Sequence, residues 1–224
     1  MKKIFTLIIV ALCAISVNAQ GSYIIADGEA ITSGQEITGV TGIKLTFAAD
    51  TYSAGKKVMN WADADFVAYT AGKLNGSFST GNEPSGCLYK FQPTVDGTVT
   101  AGIQLNASKS LYIVDGTFAE VAPKSYNLPA AADAATQTLT DHQVTTKSNG
   151  TVTFDVKANG TYYLLCTGSK LGFFGFKFTT GTTGISNLAT ENTKNAEIYN
   201  LAGQKVNKTY KGVVIQNGKK IINK

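Results

Sequence analysis

The stretch from Asn149 to Phe178 reads as three β-strands in a row. Val152, Phe154 and Val156 alternate with Thr151, Thr153, Asp155 and Lys157, the pattern of a strand with one face in a core and one in water. Asn159-Gly160 fits a two-residue hairpin turn, which needs positive φ at both positions. A second strand is expected over 161–166, a turn over 167–170 and a third strand over 171–178. In the third, Phe174, Phe176 and Phe178 share one face, and Phe173, Gly175 and Lys177 share the other.

The same alternation predicts strands over 23–26, 42–47, 56–61, 66–70, 87–92 and 98–105. Val99, Ala101, Ile103 and Leu105 should face inward, with Thr98, Thr100 and Gln104 outward. Asp96-Gly97 reads as a tight turn, 106–109 as a turn onto a partner strand at 111–114, and Asn75-Gly76 as a hairpin between Lys73 and Ser79. Residues 116–148 carry the weakest pattern. Within them the alanine-rich run 130–135 reads as one or two turns of helix, kept short by Pro129 and threonine-rich flanks.

Roughly eight to ten short strands with this turn spacing predict an all-β fold, a jelly-roll-like two-sheet antiparallel β-sandwich with a short C-terminal β-hairpin tail. A chain of this size buries about two-thirds of its unfolded surface, so neither metal nor disulfide is needed to hold it.

The two ends differ from the middle. Met1-Lys2-Lys3, an apolar run over 4–17 and Val17-Asn18-Ala19 read as an export signal spanning 1–19. The apolar run is shorter than the roughly 20 residues of a membrane span, and Leu12 before Cys13 argues against a lipid anchor. The expected organisation is a sandwich domain over 20–180, a linker over 181–195 and a β segment over 196–224. The expected address is extracellular or the cell surface, with no membrane span in the mature form.

Charge removes one class of partner. Every one of the 20 basic residues is lysine, so the planar guanidinium fork that favours phosphate and base recognition is missing. Residues 20–180 hold 11 Lys against 13 Asp and Glu, a net of −2, so the formal +5 of the chain resides in its two ends. A basic pI of this origin is not a nucleic-acid footprint.

Two runs carry resemblances. The stretch from Leu88-Tyr89-Lys90-Phe91-Gln92-Pro93 to Asp96-Gly97, Leu105-Asn106-Ala107-Ser108-Lys109, Val152-Thr153-Phe154, and the ending Thr167-Gly168-Ser169 to Phe178 resemble the non-catalytic galactose-binding-like sandwich modules of secreted polysaccharide-degrading enzymes. That likeness covers 60–180 best and implies a β-sandwich in a carbohydrate context. In the tail, Gly184-Ile185-Ser186, the run from Ala196 to Val206, the Lys211-Gly212-Val213-Val214-Ile215 strand and the lysine-rich end resemble the C-terminal sorting domain of the type IX secretion system. This implies recognition by secretion machinery. About 30 residues in short strands bury little core of their own, so the tail is expected to dock on the sandwich or to be removed.

Candidate chemistry is sparse. Aromatic faces stack on sugar C–H surfaces, which makes Trp61, the only tryptophan, and Tyr69, Tyr112 and Phe173 the leading candidates for carbohydrate binding. Tyr112 and Phe173 lie opposite their strands' apolar series and are expected to be exposed; Tyr52, Phe78 and Tyr126 are further candidates. Core packing is the competing reading for each.

Asp63 and Asp65 would share a strand face, a pairing suited to calcium or to acid and base work, although a solvated loop serves as well. No other cofactor is expected. His142 lies in a polar loop without a nucleophile motif or a second imidazole and is expected at the surface. Cys87 and Cys166 either pair or pack as buried thiols. The Asn-Gly-Ser, Asn-Ala-Ser and Asn-Gly-Thr triplets read as turns rather than glycosylation sites.

The expected function is that of an exported, non-catalytic carbohydrate-binding sandwich. A surface adhesive protein that contacts another protein and, third, a small glycan-cleaving enzyme with acids across a cleft are the rivals.

Overall fold

The computed structural model describes residues 20–48, 51–58, 65–181, 198–200, 202–207, 209–216 and 219–223. Trp61, Asp63 and the expected export signal lie outside them. The chain divides into two compact units, Met1–Thr182 and Thr183–Lys224.

In chain order the strands of the first unit are β1 (Gln20–Ile24), β2 (Glu36–Ile37), β3 (Ile43–Ala48), β4 (Lys56–Lys57), β5 (Ala68–Tyr69), β6 (Leu88–Pro93), β7 (Gly97–Leu105), β8 (Ser110–Asp115), β9 (Ser125–Asn127), β10 (Ser148–Val156), β11 (Tyr162–Thr167) and β12 (Gly172–Thr180). One five-stranded sheet has the order β1-β12-β7-β10-β9 and the other β2-β3-β6-β11-β8, with every pairing antiparallel. The fold is an all-β sandwich. Among the described residues no helix is long and apolar enough to cross a membrane.

The period-two pattern is realised along the long central ladder, where Gly97–Leu105 pairs over its full length with Ser148–Val156. Val99, Ala101, Ile103, Leu105, Val152, Phe154 and Val156 are all buried in the shared core. Opposite them Thr98 donates to Asp155 at 2.6 Å, Thr100 and Thr153 share a bond at 3.1 Å, and Gln104 donates to Asn149 at 2.8 Å. These cross-strand pairs form the solvent face of the ladder.

The turns connect differently from the expectation. β10 lies in one sheet, β11 in the other and β12 back in the first, so Asn159-Gly160 carries the chain between sheets instead of closing a hairpin. Only Asn159 takes positive φ, at 60°, and its amide donates to the Pro93 carbonyl of the facing sheet at 2.8 Å. The turns at 96–97 and 106–109 also cross between sheets: β7 pairs with β10 and β12, whereas β8 pairs with β11. A turn motif encodes a reversal of direction, and both sheets offer an apolar face to the same core. Asn75-Gly76 is not a hairpin tip either: Ser77 pairs with Ser85, and the chain reverses where Gly81 adopts φ 81°. Residues 130–135 form a turn closed by the Pro129–Thr136 bridge, not a helix.

Aromatic rings fill the core. Phe47 meets Tyr52, Tyr89 and Phe173 edge-on at 5.2, 5.9 and 6.1 Å, and Phe91 does the same with Phe154 and Phe176 at 5.8 and 5.3 Å. Edge-to-face contact is the arrangement that ring quadrupoles favour. Tyr52 donates to the Leu88 carbonyl at 2.6 Å, and Tyr89 to that of Leu171 at 2.8 Å, so the buried phenols are satisfied.

The second unit contains β13 (Ile198–Asn200), β14 (Lys205–Val206), β15 (Gly212–Gln216) and β16 (Lys219–Asn223). They form a four-stranded antiparallel sheet in the order β14-β13-β15-β16. Ile198 and Val214 are its buried apolar side chains among the described residues, while Ile221 and Ile222 are exposed.

Candidate functional site

A groove of about 380 Å³ lies on the outer face of the β1-to-β9 sheet. It is lined by Lys56, Lys57 and Val58 of the β4 segment, Tyr69 of β5, Gln104 of β7, Lys147 and Asn149 at the start of β10, and the turn at 129–132. The β4-β5 ribbon is held in place at β12, where Thr70 and Phe173 exchange backbone hydrogen bonds at 2.9 and 2.8 Å.

A glycine admits the key ring. An ideal Cβ on Gly172 would lie 2.8 Å from Gln104 Cβ and 3.0 Å from Tyr69 Cδ2, too close for any larger residue without displacement. The half-buried Tyr69 ring therefore approaches the sheet closely beside Gln104, with Phe174 against it at 5.4 Å between centroids. Gln104 Nε2 donates to Asn149 Oδ1, which leaves Gln104 Oε1 as an acceptor and Asn149 Nδ2 as a donor without a protein partner among the described residues. An aromatic ring, an amide acceptor, an amide donor and three lysines line one groove.

A second cavity of about 370 Å³ opens between the edge strands β8 and β9. Leu111, Ile113, Val121, Tyr126 and Leu139 give it apolar walls, with Glu120, Asp141 and His142 at its polar side. Asp141 and His142 occupy the left-handed region at φ 48° and 67°, the two central positions of a turn between the paired residues Thr140 and Gln143. His142 Nδ1 stands 3.3 Å from Glu120 Oε1, and its ring lies 4.6 Å from that of Tyr112. His142 is partly exposed, in a tight hairpin rather than a loose loop.

The candidate aromatics part company. Tyr69 lines the first groove. Tyr112 is half-buried between Phe78, at 5.1 Å, and His142. Tyr126 lines the second cavity and accepts the Leu139 amide at 3.2 Å. Tyr52 belongs to the core.

Phe173 is a correction: expected to be exposed, it has no accessible surface and stacks on Tyr89 at 4.3 Å. The cause is a bulge in β12, where the register against β7 shifts between Phe173 and Gly175. The bulge puts Phe173 on the core face with Phe176 and Phe178, whereas Phe174, expected on that face, is buried outside the shared core against Tyr69. Phe173 has no free face to offer a sugar. Gly175 makes the bulge feasible, with φ 119° and a Cβ position only 2.2 Å from the Tyr23 carbonyl oxygen.

Asp65 accepts from Lys177 Nζ at 2.6 Å, so its carboxylate already has a cation. Among the described residues no group of three or more His, Cys, Asp or Glu could hold a metal ion. Cys87 and Cys166 are buried free thiols. Burial, followed by the neighbouring Cys87, pushes the Cys166 thiol up to about 12 against a smaller opposing effect of Lys109.

The lysines and amides of the first groove were absent from the sequence-derived candidates. The alternation of β7 turns Gln104 outward, but nothing in the local pattern joins it to Lys56 or Asn149, which are far away along the chain. No protein-family model matches the chain, and no curated protein matches it.

Proposed function

We propose that this is an exported, non-catalytic carbohydrate-binding protein whose sandwich binds saccharide in the Tyr69 groove, with the C-terminal segment serving as its sorting signal. The observation that supports this reading is Tyr69 held against Gly172, beside the unbonded amide atoms of Gln104 and Asn149. A pyranose offers an apolar C–H face and a rim of hydroxyls, each of which donates and accepts. The ring matches the face, and Gln104 Oε1 and Asn149 Nδ2 match a donor and an acceptor on the rim. The groove is half-open and polar, which suits the side or end of a polymer better than an enclosed small molecule.

A glycan array probed with the purified protein tests this reading. Saturable binding that weakens by about tenfold or more in Tyr69→Ala, equivalent to about 1.4 kcal/mol, with unchanged thermal stability, is the expected result. Silence across plant, host and microbial glycans sinks it.

The tail has its own test. Export of the full chain to the surface or medium should stop when residues 196–224 are deleted, while the sandwich accumulates inside the envelope. Normal export without them would refute the sorting role.

A further inference from the structure

The lysines around the groove differ from the others on or beside this sheet. Lys177 lies on Asp65 at 2.6 Å, Lys124 on Asp155 at 2.9 Å and Lys157 on Asp96 at 2.9 Å. Lys56, Lys57 and Lys147 form no ion pair among the described residues, and all three are exposed. No carboxylate lines the groove among the described residues. The carboxylate of Asp27 accepts the backbone amide of Lys57 at 3.3 Å but is not part of the lining.

A sandwich domain that is slightly acidic as a whole thus gathers, at one concave site, three lysines without an ion-pair partner among the described residues. Like charges so gathered repel one another, and an anionic ligand relieves that repulsion. Lysine suits the task, because a flexible point charge can follow carboxylate or sulfate groups whose spacing varies along a polymer.

We infer that the groove takes an anionic saccharide, with Lys56, Lys57 and Lys147 meeting its carboxylate or sulfate groups while Tyr69, Gln104 and Asn149 hold the sugar ring. This inference rests on the carbohydrate reading above and names the class of glycan.

The test pairs polymers that differ only in charge: polygalacturonate against its methyl ester, and a sulfated galactan against its desulfated form. Each is titrated against the full chain at low and at physiological salt. At least one anionic polymer should bind, and its neutral counterpart should bind at least tenfold more weakly. Binding should weaken as salt shortens the screening length from about 30 Å at 0.01 M to about 8 Å at 0.15 M. Each single Lys→Gln change should weaken it by about threefold to fivefold, the size expected for an exposed charge pair, with thermal stability unchanged.

The triple variant K56Q/K57Q/K147Q separates the groove from the basic C-terminal segment. If it binds the polyanion as well as the parent, the groove is not the site and the inference is overturned. Equal binding of the neutral counterparts, lost in Tyr69→Ala but not in the triple variant, overturns the anionic inference and leaves carbohydrate binding standing. Failure of charged and neutral polymers alike, together with a silent array, overturns both.

Discussion

The rings of Tyr89 and Phe173 stack with centroids 4.3 Å apart and planes 21° from parallel, linking β6 of one sheet to β12 of the other. Both are wholly buried, and the Tyr89 hydroxyl donates to the Leu171 carbonyl at 2.8 Å. The contact joins the two layers and fixes the end of β12 that carries Gly172, the glycine beneath Tyr69.

Phe173→Ala should therefore cost about 3 to 5 kcal/mol, the range for deleting a buried aromatic side chain. Tyr89→Phe keeps the ring and removes the buried hydroxyl with its hydrogen bond to Leu171, for about 1 kcal/mol. Chemical denaturation of both variants checks the ranking. A Phe173→Ala loss below about 1 kcal/mol would show that the ring is not buried as described.

Gly172→Ala should weaken the proposed glycan binding more than it weakens the fold. The new Cβ would stand 2.8 Å from Gln104 Cβ and 3.0 Å from Tyr69 Cδ2, so ring and amide must both shift. A stability loss of about 1 to 3 kcal/mol is expected for such overpacking. Binding should be impaired at temperatures where the variant remains fully folded, as followed by titration alongside circular dichroism.

Acid should destabilise the sandwich partly through Asp155. The Thr98 hydroxyl, and after it the Lys124 ammonium, hold the Asp155 carboxyl below its usual 3.8, with desolvation acting the other way. A carboxyl lowered in the folded state stabilises above its unfolded value and loses that contribution as pH falls through the folded one. The melting temperature should thus fall as pH drops below about 4, and Asp155→Asn should flatten part of that fall. The side chain is 57% exposed, so the effect should stay under about 1 kcal/mol.

Both thiols should resist modification in the native state. Cys166, raised to about 12 chiefly by burial, is almost wholly protonated at pH 8, and the thiolate is the reactive form. Cys87 has no exposed surface and accepts the Gly72 amide at 3.2 Å. Mass spectrometry after iodoacetamide should find neither labelled in the native protein and both labelled in guanidinium. A mass corresponding to an internal disulfide would contradict the free thiols.

The all-β architecture and the inward residues of β7 and β10 were legible in the chain. Val99, Ala101, Ile103, Leu105, Val152, Phe154 and Val156 lie at every second position, and a strand turns alternate side chains to one face whatever its neighbours are. Partner choice was not legible. Asn159-Gly160 and the turns at 96–97 and 106–109 mark where the chain reverses, but reversal within one sheet and passage to the facing sheet present the same apolar face to the same core.

The bulge that buries Phe173 was equally hidden, because one extra residue in β12 changes which face a side chain occupies without altering the apolar character of the run. The groove lies further still from local sequence. Lys56, Tyr69, Gln104, Lys147 and Asn149 meet only because the β4-β5 ribbon lies beside β7 and β10 on the outer face, admitted by the missing side chain of Gly172. Alternation of residue type, a local property, determined the strands and the class of fold; strand pairing and the close approach of the ribbon, which depend on long-range contacts, decided the site.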